Sequence, residues 1–189
     1  SGLPNGTPQY YVVTAVDLAS LESAFSAEVT ATPTDIDPTL FGRWHLDEGS
    51  GTTASDSSGH GRHATLINGP TWTTGRFGAA LSFDGVNDYA TVDGVDLSTW
   101  TVAVWVRSPA APAALAPSGP VHRDKNFQIN WNHSNATFRG AAALRVAGTW
   151  HAASFCSLAA DTWYHLAATY DGETLRAYKN GALVSSNSN

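Results

Sequence analysis

Methionine is absent from this 189-residue chain and cysteine occurs once, as Cys156. A lone cysteine closes no internal disulfide and binds no metal through thiolates alone; because unpaired cysteines are usually buried and inert, Cys156 is expected to be a small core residue. Basic residues are few, 10 Lys and Arg against 16 Asp and Glu for a formal charge of −6, and no block of them could neutralise a run of phosphates. Nucleic acid is therefore not an expected partner. Apolar runs are short as well: residues 101–106 form a strand-length stretch, far below the roughly 20 residues a membrane helix needs. No transmembrane segment or signal peptide is visible, so no membrane insertion is expected, and any secretion signal is expected to have been lost with a missing part. Without Met and starting at Ser1, the chain is expected to be processed or cut from something larger.

Helical periodicity of any length is also missing. What is present is 17 Gly, abundant Thr, Ser, Ala, Trp and Tyr, and only 14% charged residues, a composition that points to an all-β extracellular protein. With 42% hydrophobic and 11% aromatic residues, the chain can bury one domain of ordinary size, or one domain plus a fragment.

Residues 10–16 and 27–32 are β-branched, alternating runs that predict two strands, too few to be stable alone. The stretch from Thr32 to Thr39, with two prolines, two acids and no periodicity, then reads as a linker, placed at 34–40. From Phe41 onward, short strand-like runs recur between turn signals at Asn68-Gly69, Asp84-Gly85, Asp171-Gly172 and Asn180-Gly181. They predict strands at 42–46, 64–67, 79–83, 89–92, 101–107, 127–131, 143–146, 152–155, 163–170, 174–179 and 183–185. So many short strands imply a sandwich of two antiparallel sheets. Within 163–170, period-two alternation places Tyr164, Leu166, Ala168 and Tyr170 on one face, expected to be the core side, and Trp163, His165, Ala167 and Thr169 on the other. Asn180-Gly181 predicts a tight hairpin, since both residues tolerate positive φ.

Two resemblances are carried by these residues. Leu3-Pro-Asn-Gly-Thr-Pro-Gln-Tyr-Tyr-Val-Val-Thr-Ala-Val-Asp, with Glu22-Ser23 and residues 26–33, resembles the last two strands and exit of a fibronectin type III domain. The corner tyrosine of that family falls here on Gln9, with Tyr10 and Tyr11 following. The remainder carries Trp44-His-Leu-Asp-Glu-Gly-Ser-Gly-Thr-Thr, Asp56-Ser-Ser-Gly-His-Gly-Arg-His-Ala-Thr-Leu, Phe77-Gly-Ala-Ala-Leu-Ser-Phe-Asp-Gly and Asp88-Tyr-Ala-Thr-Val. Thr101-Val-Ala-Val-Trp-Val-Arg, Thr162-Trp-Tyr-His-Leu-Ala-Ala-Thr-Tyr-Asp-Gly and Leu175-Arg-Ala-Tyr-Lys-Asn-Gly-Ala-Leu-Val follow in order. Together they resemble the laminin-G-like, concanavalin-A-like jelly roll of many secreted bacterial proteins. Lys179 stands where such strands usually carry an apolar residue, and the family's closing strand is missing, so the intact protein is expected to continue beyond Asn189. The expected organisation is a partial fibronectin type III β-sandwich segment at 1–33, a linker at 34–40 and a jelly-roll domain at 41–189.

The jelly rolls of this shape include glycoside hydrolases, whose two carboxylates sit at a defined separation; the glucanase relatives present them as Glu-x-Asp-x-Glu on one strand. That motif is absent, and no Gly-x-Ser-x-Gly elbow occurs. Asp35/Asp37 and Asp47/Glu48 read as solvated loop charges, so no catalytic residues are expected. The resemblance implies that domains of this type often hold a structural Ca²⁺ on an acid of the Asp56 loop and an acid of the closing strand. Asp56 would be the side-chain ligand, with carbonyls near Ser58 and Gly61 and help from Asp84; the alternative is that Asp56 only caps its turn. The seven histidines show no zinc-ligand spacing, and His165 reads as structural. For sugar binding, Trp44, Trp105 and Trp163 read as core or near core. Trp131 stands among Asn130, Asn132 and His133 at what reads as a strand end entering a loop, and forms the candidate ligand-binding cluster. The function expected is a non-catalytic module, secreted or at the cell surface, binding carbohydrate or another extracellular partner beside other domains of its parent chain. The alternatives are an accessory module of a carbohydrate-active enzyme and a structural spacer in an adhesin.

Overall fold

The computed structural model describes residues 8–14, 16, 20–31, 37–95, 97–108, 118–123, 127–134 and 137–188, without the side chains of residues 9, 31, 118 and 131–139. Every regular element among them is a strand. In chain order these are β1 (Gln9–Tyr11), β2 (Val29–Ala31), β3 (Thr53–Ala54), β4 (Ala64–Ile67), β5 (Thr71–Thr74), β6 (Ala79–Ser82), β7 (Tyr89–Thr91) and β8 (Trp100–Val106). They continue with β9 (Ser118–Arg123), β10 (Phe127–Ser134), β11 (Thr137–Val146), β12 (Thr149–Ser157), β13 (Tyr164–Tyr170), β14 (Thr174–Lys179) and β15 (Ala182–Ser188).

Two four-stranded antiparallel sheets, ordered β12-β11-β10-β9 and β15-β14-β13-β8, form the body of the molecule. Their alternating side chains meet in one apolar core. Phe127, Ile129, Ala142, Leu144, Ala153 and Phe155 come from the first sheet, and Trp100, Leu166, Ala168, Tyr170, Leu175 and Ala177 from the second. Trp100 stacks on Phe127 across the gap with ring centroids 4.6 Å apart, so one aromatic pair ties the two sheets at their edge. The inward face of β13 is Leu166, Ala168 and Tyr170, as its alternation predicts, with Tyr164 half-buried at the end of the row. Lys179, paired with Leu166, lays its stem over the rim of this core and donates from Nζ to the Ser157 carbonyl at 3.3 Å. A charged residue is accommodated there because its head reaches an acceptor outside the apolar layer.

The β14–β15 hairpin turns at Asn180 (φ +51°) and Gly181 (φ +83°), the left-handed pair expected of this dipeptide. A second, smaller core of Ala54, Ala64 and Leu66, with Trp44, Leu46, Trp72, Leu81 and Val92 against it, is built by the sheets β3-β4-β7 and β5-β6. Residues 42–46, expected as a strand, form only the bridge Trp44↔Asp56, because Leu46 takes φ +61° and ends any extended run. β1 and β2 pair with each other. Of the expected linker, residues 34–36 lie outside the described residues, and 37–40 form a turn in which Asp37 accepts from the Thr39 N–H and hydroxyl.

Cys156 is exposed, contrary to the expectation of a core thiol. On β12 the inward positions are Ala153 and Phe155, so Cys156 points out; its φ of +61° follows a register shift in the β11–β12 ladder.

Candidate functional site

The loop after β3 is organised around Asp56. Its Oδ1 accepts from the N–H groups of Arg43 (3.0 Å) and Ser58 (2.8 Å), and its Oδ2 from the Ser58 hydroxyl (2.8 Å) and the Arg62 N–H (2.9 Å). The Asp56 N–H donates to His63 Nδ1 at 3.1 Å. Burial of Asp56 pushes its carboxyl up, but the donors from Arg43, Ser58 and Arg62 outweigh this and hold it well below the usual carboxylate range. An ionised carboxylate offers about four lone-pair positions, and the protein fills them all. A calcium ion would need carboxylate oxygens turned toward it, yet those of Asp56 face the Ser58 N–H and hydroxyl and the Arg43 and Arg62 N–H groups. Gly61, at φ +71°, lies on the turn that brings Arg62 back to the carboxylate. Asp84 is engaged in its own turn, accepting the Val86 N–H at 2.8 Å and the Asn87 N–H at 3.3 Å. In this arrangement the Asp56 carboxylate is saturated by donors and Asp84 is engaged in a separate turn, and no group of three or more His, Cys, Asp and Glu able to hold a metal occurs among the described residues. The geometry makes Asp56 a staple joining residues 41–44 to the loop, reinforced by Trp44 Nε1 donating to the Arg62 carbonyl at 2.9 Å.

Asn130, Trp131, Asn132 and His133 lie within β10, opposite Ala141, Gly140, Arg139 and Phe138 of β11. They do not enter a loop, because the ten-residue β11 continues the ladder to Ser134↔Thr137. Asn130 is half-buried; the side chains of Trp131, Asn132 and His133 lie outside the described residues. Of the acids read as solvated loop charges, Asp47 accepts the Ala79 N–H at 2.9 Å and Glu48 the Ser55 N–H at 2.8 Å, so both fasten loops; Asp35 lies outside the described residues.

The outward face of the second sheet carries a group that single-strand reading missed. Trp105, expected near the core, is 41% exposed, because β8 turns Trp100, Val102, Val104 and Val106 toward the inner layer and every odd position outward. His165 is its direct partner on β13, with ring centroids 5.3 Å apart. The loop between β5 and β6 brings Phe77 edge-on to Trp105 at 5.7 Å. It also places the Arg76 guanidinium 4.9 Å from the Phe77 ring centre and 5.7 Å from that of Trp105. Beside this pair, Arg107 lies 5.4 Å over Trp163. These rings, with Trp44, His45 and Asp47, line a cleft of about 290 Å³ floored by Ala79, Ala80 and Ala103. Gly78, at φ +60°, lets the loop close on Asp47, since a Cβ there would collide with its carboxylate. Half-exposed aromatic faces beside imidazole and guanidinium donors can stack on a planar or ring-shaped ligand and fix it with hydrogen bonds.

No functionally curated protein matches the chain. Among solved structures, an S-layer domain-containing protein (residues 221–444) from Clostridium thermocellum ATCC 27405 is similar at 23% identity, over 77% of this chain and 71% of that one, with a TM-score of 0.33. The family model for the concanavalin A-like lectin/glucanases superfamily, of laminin-G type, matches residues 84–189. That match covers more than half of the chain and takes in β7 to β15, including both sheets of the main sandwich, so the chain belongs to the concanavalin A-like lectin/glucanases superfamily.

Proposed function

We propose that the chain is a non-catalytic carbohydrate-binding module of a secreted or cell-surface multidomain protein. The observation that carries this reading is Trp105, held half-exposed on the outer sheet face by Phe77 and His165 beside an open cleft. A sugar presents an apolar C–H face and a rim of hydroxyls, which suits an indole flanked by polar groups. Hydrolysis would need two carboxyl groups at a set separation, whereas Asp47 is the one acid among the lining residues and is tied to the Ala79 N–H. Residues 1–33 are read as the closing strands of a fibronectin type III domain, a reading supported by the antiparallel β1–β2 pairing. A glycan array with the whole chain tests the proposal. Binding lost in Trp105→Ala with an unchanged circular dichroism spectrum supports the cleft, loss confined to Trp131→Ala moves the site to β10, and no binding to any glycan favours a structural spacer.

A further inference from the structure

Resting on the carbohydrate-binding reading, we infer that the cleft and the sheet face beside it take an acidic sugar chain, whose rings lie on Trp105 and Trp163 and whose carboxylates pair with Arg76 in the cleft and with Arg107 beside it, over Trp163.

The arginines of this chain differ in what they hold. Arg176 pairs with Asp171, Arg43 donates to Ser57, Arg62 to the Phe41 carbonyl and Arg145 to the Gly148 carbonyl. Arg62 also lies over the Phe41 ring, but only Arg76 and Arg107, among the described residues, have guanidinium groups that meet rings with no carboxylate or carbonyl partner. The chain has 16 acids to 10 bases, so two cations left without an acid on one face are not explained by a shortage of partners. A guanidinium lying over a ring is held in place while its N–H fork, which matches a carboxylate in bidentate geometry, remains to be used.

The sheet register repeats the arrangement. Trp105 faces His165 across the β8–β13 ladder, and Tyr164↔Val106 sets the next outward pair as Arg107 and Trp163. The two indoles are thus diagonal neighbours, about 7–8 Å apart in backbone spacing, each with its own arginine. The outward positions that follow, Ala103 and Ala167, are small and leave the sheet surface open beside the rings. Repetition of aromatic face plus cation suits a polymer carrying an acid on successive sugars. Asp47 is the one acid among the lining residues, with its Oδ1 held by the Ala79 N–H, and His45 and His165 add polar edges.

Isothermal titration of the whole chain with polygalacturonate and with its carboxyl-reduced, neutral counterpart tests the inference. The acidic polymer should bind at least about tenfold more tightly than the neutral one, and raising salt to about 0.5 M should remove most of that difference. Arg76→Gln and Arg107→Gln should each weaken binding of the acidic polymer by about tenfold and leave the neutral polymer unaffected, with Arg145→Gln on the opposite sheet unchanged. Equal binding of the two polymers, or wild-type affinity in both the Arg76 and Arg107 variants, overturns the acidic assignment while leaving a carbohydrate module in place. No binding to either polymer also overturns it, and a blank array of neutral glycans then removes the module reading as well. Both arginines are exposed, so their replacement by glutamine leaves the core intact.

Discussion

Asp56 makes a specific prediction at the residue scale because four donors converge on one buried carboxylate. Removing it in Asp56→Ala strands those donors and should cost about 2–4 kcal/mol, read as a lower midpoint in urea. Since the protein fills its oxygens, the loss should be equal in calcium and in EDTA; a loss seen only with calcium would restore the metal reading. The pH dependence follows from the sign of its shift. Asp56 titrates below its unfolded value, so its contribution is complete above the ordinary aspartate pKa of about 4 and is lost as pH falls from there through the lowered folded value. Asp56→Ala should therefore flatten the acid limb of the stability curve. Cys156 gives a second test. Exposed on β12, it should react stoichiometrically with a thiol reagent in native buffer, and Cys156→Ser should shift stability by less than about 0.5 kcal/mol. A thiol that labels only after unfolding would place it back in the core.

Strands behave as the sandwich demands. Phe155 is fully buried where β12 faces the second sheet, so Phe155→Ala should cost about 3–5 kcal/mol in chemical unfolding, whereas replacing the exposed Trp150 on the same strand should cost far less. At the β14–β15 turn, Gly181 holds φ +83°, and Gly181→Ala should destabilise by about 1 kcal/mol, detectable as a lower melting temperature. The strands that were legible in the sequence are those bracketed by turn chemistry: 64–67 and 174–179 match β4 and β14 to the residue. β9 was not among the expected strands, since Gly119 and Pro120 break the β-branched, alternating pattern that marks the others. Proline lacks the N–H that a ladder uses on both sides, and β9 accommodates it as the edge strand of its sheet. The candidate site divides in the same way. Alternation along β13 places His165 outward, but its pairing with Trp105 depends on inter-strand register, and Arg76 and Phe77 arrive from a loop far away in sequence. No single-strand pattern contains that meeting.

For the whole molecule, the partition of apolar surface decides what melts together. The main sandwich closes on its own core, while β1 and β2 pair with each other and leave Tyr10, Val13, Val16, Leu21, Phe25 and Val29 exposed. None of these side chains enters either core cluster. A two-stranded ribbon with uncovered faces is marginal in water, so it should neither carry nor share the cooperative transition. Calorimetry of the full chain and of a fragment comprising residues 34–189 should therefore give melting temperatures within about 2 °C of each other, with the full chain more prone to self-association through its exposed ribbon. A fragment that melts well below the full chain would mean that residues 1–33 stabilise the sandwich, and the division of the chain near residue 34 would have to be abandoned. Equal melting temperatures would mean that residues 1–33 contribute nothing to the transition of the jelly roll.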